Sequence, residues 1–108
     1  MQVIITALCT PGTSLRQAIA KDTRLGDYLL VIDKQQEPHR KPGWLKLHSA
    51  DQRRGAINVE WDSHGHLLLA RVVTKGSRRP SAIVGDFVNY LLARHPTRIK
   101  AITTAVVK

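Results

Sequence analysis

The stretch SAIVGDFVNYLLARHP, residues 81–96, carries the only long helical periodicity in the chain. At 100° per residue, Ile83, Val84, Phe87, Val88 and Leu91 fall on one stripe, an apolar face of the kind that packs on a sheet. Ala82, Gly85, Asp86, Asn89 and Ala93 take the other side, which holds no lysine or arginine. His95-Pro96 ends the pattern, because proline cannot continue a helical hydrogen-bond ladder. The predicted helix is residues 81–94.

Strand patterns flank it on both sides. Upstream, Ile57, Val59 and Trp61 alternate with polar residues, DSHGH (62–66) supplies a turn, and Leu67–Val73 follows, so residues 56–74 read as a β-hairpin. WLKLHS (44–49) alternates too, with Leu45 and Leu47 on one face and Trp44, Lys46 and His48 on the other. Val3–Leu8 is apolar on both parities, as in a strand buried on two faces. TPGTSLRQ (10–17) gives a turn and a capping box, Ser14 with Gln17, opening a short helix whose inner face is Leu15, Ala18 and Ile19. Tyr28–Ile32 is a second central-strand candidate, and QQEPHRKPG (35–43) is a loop. Downstream, Ile99–Val107 is the final strand. The expected fold is α+β in the order β-α-β-β-β-β-α-β: about six strands in a mixed sheet, two helices, and one sheet face only partly covered. No repeat or linker divides residues 1–108, so one domain is expected.

At 108 residues with 43% hydrophobic side chains, the chain can bury a single core. Nothing approaches the ~18 consecutive apolar residues of a membrane span. Met1–Leu8 lacks the basic start and length of a signal peptide, which makes the cytoplasm the expected location. One cysteine, Cys9, excludes an intrachain disulfide and a multi-cysteine zinc site.

Charge is the composition signal that points to a partner. Lys and Arg number 17 against 8 Asp and Glu, a formal net charge of +9. Residues 1–62 hold 9 basic and 7 acidic side chains, whereas residues 63–108 hold 8 basic side chains and one acid, Asp86. The excess is therefore local, and a local excess suits an anionic partner. It gathers at the two ends of the second helix. Lys75, Arg78 and Arg79 precede it in KGSRRPS (75–81), where backbone N–H groups and guanidinium groups together suit phosphate. Arg94, Arg98 and Lys100 follow it. A second strip, PHRKPGWLK (38–46), sets Arg40, Lys41 and Lys46 around Trp44, which either stacks on an unpaired base or covers the end of the core. The bare outer side of the second helix is unlike a recognition helix in a DNA groove.

Other chemistries are less well specified. Asp62, His64 and His66 are too few for a structural zinc site, and no metal or cofactor is expected. Neither PGTSLRQ nor KGSRRPS has the order of a nucleotide-binding loop. The expected function is therefore a small, non-enzymatic domain that binds DNA or RNA through phosphate contacts. One alternative is a protein-interaction module, such as a homodimer formed through the small-residue face of the second helix or through an unpaired strand, Ile99–Val107. Another is a metal-independent ribonuclease using His48 or His95 beside the basic residues.

Overall fold

The computed structural model describes residues 2–51, 55–74 and 79–107. The strands are β1 (Gln2–Cys9), β2 (Leu30–Lys34), β3 (Leu45–Ser49), β4 (Ala56–Asp62), β5 (Leu67–Val73) and β6 (Ile99–Val107). The helices are α1 (Leu15–Lys21) and α2 (Ser81–Arg94), with short 3-10 turns at Leu25–Tyr28 and Pro96–Arg98. The element order is the expected one. The six strands form one sheet in the order β2-β3-β4-β5-β1-β6. Every pairing is antiparallel, so the sheet lacks the mixed character expected from sequence. β2 through β5 form a meander, α1 carries the chain from β1 to the far edge, and α2 returns it to place β6 beside β1.

One parity of the strands makes the core. Val3, Ile5 and Ala7 of β1, Leu45 and Leu47 of β3, Ile57 and Val59 of β4, and Leu68, Ala70 and Val72 of β5 are buried with Leu15 and Ile19 of α1 and Ile83, Phe87, Tyr90 and Leu91 of α2. Both helices therefore lie on the same face. Each fully buried large apolar side chain contributes roughly 1.5–3 kcal/mol, and this layer holds the sheet and helices together. The other parity of β1, Gln2, Ile4, Thr6 and Leu8, is only partly buried or exposed, so β1 is not covered on both faces as its composition suggests.

Local signals explain the boundaries. Ser14 caps α1 by accepting a hydrogen bond from the Gln17 N–H at 3.2 Å. The reciprocal half of the capping box is not made, because the Gln17 side-chain oxygen accepts from Arg16 instead. The Tyr28–Ile32 candidate strand is displaced. Leu25–Tyr28 forms a 3-10 turn that ends on Leu29 at φ 66°, and the strand that follows is an edge rather than a centre. In the β4–β5 hairpin, Asp62 Oδ1 accepts the N–H groups of His64 and Gly65, which closes the turn.

Candidate nucleic-acid interface

α2 begins at Ser81 with Pro80 in the capping position, no side-chain cap and no acidic residue in its first turn. Pro80 has no side-chain donor or acceptor to spend on the first backbone N–H groups, and the start of a helix carries partial positive charge. Arg79 is exposed beside it. Lys75 and Arg78, the other two residues of the expected cluster, lie outside the described residues.

The exit of α2 is organised around an acid that the sequence reading did not single out. Asp22, which ends α1, has only 3% of its side chain exposed. Its Oδ2 accepts the Tyr90 hydroxyl at 2.8 Å and Arg94 Nε at 3.2 Å, and its Oδ1 accepts Arg94 Nη2 at 3.1 Å and the Arg24 N–H at 2.9 Å. Burial alone would raise this carboxyl. The hydrogen bonds from Arg94, the Arg24 backbone and Tyr90 outweigh it and hold the group down at about 2. Tyr90 is pushed well above its ordinary range, first by burial and then by the carboxylate it donates to. His95 Nε2 lies 3.0 Å from the Tyr90 oxygen. With that hydroxyl turned to Asp22, the imidazole is the donor in the second bond, which fixes its proton on Nε2. Burial lowers His95, opposed by Asp22 and reinforced by Arg94 and Arg98.

Arg94 is thus paired with Asp22 while its side chain stays 38% exposed, so its charge at the surface is largely offset. Arg98 donates a hydrogen bond to the Thr13 carbonyl, tying the exit to the turn before α1. Lys100 is exposed. The same hydrogen bonds bring Lys21 and Arg24, which sequence analysis left out, to this corner, although Arg24 pairs with Asp27. No spacing in the chain links residues 21–24 to residues 90–100. The connection exists only because two helices end against each other.

The second strip is rearranged most. Trp44 has the predicted parity, yet it is only 2% exposed. The Arg40 guanidinium lies over its ring at 5.1 Å from the centroid, and the indole N–H donates to Asn58 Oδ1 at 3.3 Å. Its carbonyl also accepts from Arg16 Nη2 at 2.8 Å, a buried bond from the helical side. The ring is therefore closed to a stacking base, and this part of the expectation is corrected. A loop folding over the open face covers it, which alternation alone does not encode. Arg40 and Lys34 approach Glu37, and Lys46 pairs with Asp33 at 3.6 Å. Lys41 is exposed.

Among the described residues, no group of three or more His, Cys, Asp or Glu is placed to hold a metal ion. Cys9 is buried and its thiol is raised by that burial. A shallow groove of about 490 Å³ crosses the helix-free face between Arg40, Asn58, Glu60, Leu69 and Arg71. No helix of the described residues is long and apolar enough to cross a membrane. No family model matches the chain, and no curated protein or solved structure matches it.

Proposed function

We propose that this protein is a small, non-enzymatic, cytoplasmic domain that contacts the phosphate backbone of DNA or RNA at the two ends of α2. The observation that carries the reading is how the charges pair. Asp22, Asp27, Asp33 and Glu37 are each held by a cation of the chain itself. Arg79, Lys41 and Lys100 make no ion pair among the described residues, and the chain has a net charge of +9. The primary contacts are Lys75, Arg78 and Arg79, with Lys100 and the outer side of Arg98 secondary. α2 has 14 residues, which at 1.5 Å each separate the two ends by about 21 Å. That distance spans roughly six base pairs of duplex, so both ends can engage separate phosphates of one molecule.

The catalytic alternative fits this arrangement poorly. His95 turns Nε2 inward to the Tyr90 hydroxyl, and its side chain is 12% exposed, so it does not present that nitrogen to a substrate. His48 directs Nδ1 at the Ser49 carbonyl, 2.7 Å away.

Fluorescence anisotropy with labelled duplex DNA, single-stranded DNA and RNA across a salt series tests the proposal. Engagement of three or four duplex phosphates gives a log–log salt slope of roughly −3 to −4. Arg78→Ala/Arg79→Ala is expected to weaken binding and flatten the slope by about 2. Absence of binding at low salt, or binding that ignores both the salt and the double substitution, overturns it.

A further inference from the structure

We propose that β6 pairs antiparallel with β6 of a second copy of this chain, joining two six-stranded sheets into one continuous sheet. This inference is independent of the phosphate reading. β6 lies at the end of the strand order, bonded to β1 from Gln2↔Val107 to Cys9↔Ile99, with no described strand on its other side. Its nine residues leave a row of backbone donors and acceptors along that side, and proteins normally blunt such edges with charge, proline or bulges.

The two edges of the sheet are treated differently. β2 has five residues, carries Asp33 and Lys34, and loses register between Ile32 and Lys34. Those features discourage pairing. β6 reads IKAITTAVV: it slips register with β1 only at Lys100, its one charge, at the start of the strand, and from Ala101 to Val107 it pairs without interruption, with no proline or glycine and mostly β-branched residues. An apolar fringe accompanies it. Val106 is 58% exposed, and Leu92 of α2 is 52% exposed. A shallow groove of about 460 Å³ runs between α2 and β6, lined by Val88, Leu92, Ile99 and Ile102 among others.

The occupant follows from self-complementarity. A two-fold axis at Thr103 sets Thr103 against its own copy, Ala101 against Ala105, Ile102 against Thr104, Lys100 against Val106 and Ile99 against Val107. Within residues 99–107 no like charges then face each other. The two Lys100 positions fall six residues apart along the paired strands, about 20 Å at 3.4 Å per residue, which is beyond the Debye length of about 8 Å at physiological salt. The edge is about 30 Å long, and with α2 about 10 Å behind the sheet it covers roughly 300 Å² per copy. The total of about 600 Å² is below that of a standard interface, so the dimer is weak and forms only at high concentration.

The net charges of the two copies repel at long range, so added salt strengthens this dimer while it weakens phosphate binding. Sedimentation velocity of the full chain from about 5 to 500 µM, at 0.1 and 0.5 M NaCl, reads the association directly. A dimer favoured several-fold by the higher salt is expected. Thr103 is exposed, so Thr103→Lys leaves the fold intact by circular dichroism but sets two cations opposite each other at the axis, and is expected to give a monomer. Thr103→Glu is expected to do the same alone, and an equimolar mixture of the two variants restores the dimer. A monomer at every concentration, a dimer that survives Thr103→Lys, or variants that fail to restore it on mixing each overturn the proposal. In the first case the edge is left to a strand from some other protein.

Discussion

Replacing Asp22 with asparagine keeps the shape of the side chain and removes its charge, which isolates the electrostatic part of the junction between the two helix ends. The carboxyl is held at about 2 against an ordinary value of 3.8. At 1.36 kcal/mol per unit, that difference corresponds to about 2 kcal/mol of stability at neutral pH. Arg94 has 38% of its side chain exposed, and solvent screens the pair, so the expected loss is about 1–2 kcal/mol. For a domain of this size that is a fall of about 5–10 °C in Tm. The pH dependence identifies the cause. A carboxyl depressed by folding contributes its full stability above its unfolded value of 3.8 and loses it as the pH falls toward 2. Urea unfolding of wild type and Asp22→Asn should therefore show a gap that is complete at pH 7 and reduced to about half at pH 3. Equal stabilities at pH 7, or a gap that does not shrink in acid, would refute the account of Asp22 as a charged anchor.

Three further outcomes are expected. His95 lies below its ordinary 6.5 because burial favours the neutral ring, so the unfolded chain takes up the proton first. Stability is complete above pH 6.5 and declines below it, and His95→Gln should flatten that decline between pH 7 and 5 in urea titrations. Gly55 has φ 128°, and a Cβ there would sit 2.7 Å from the Val73 carbonyl oxygen. Gly55→Ala should therefore lower the urea midpoint by an amount equivalent to more than about 1 kcal/mol. In a Trp61→Phe background, the remaining Trp44 emission should resist iodide quenching, and Trp44→Ala should cost about 3–5 kcal/mol in thermal unfolding.

Periodicity made the secondary structure readable from sequence. The limits of α2, the β4–β5 hairpin and β6 all follow from residue spacing and from Pro96. Position within the sheet was not readable, because β1 and the segment before β2 are both apolar while only pairing decides which strand is central. Tyr90 was missed for a related reason. It is three residues from Phe87 and seven from Ile83, at the margin of the apolar stripe, and its hydroxyl makes it look like a solvent-facing residue until Asp22 is brought to it. Trp44 illustrates the converse: alternation assigned its face correctly, but the covering loop closed that face. At the candidate interface, composition located the excess of cations but not their internal partners, so Arg94 and Lys46 looked free and Lys21 looked remote.

The place of β1 between β5 and β6 also sets the order in which the chain can assemble. Its neighbours are residues 67–73 on one side and 99–107 on the other, whereas the pairings among β2, β3, β4 and β5 all join strands adjacent in the chain. The meander joins strands adjacent in the chain, but β1 must wait for partners drawn from the far half of the chain, and that long-range closure slows folding relative to a helical bundle of equal length. The earliest strand is the last to gain both neighbours. A chain cut before residue 99 would leave Val3–Cys9 as the bare margin of the sheet, moving its sticky edge from one strand to another rather than removing it.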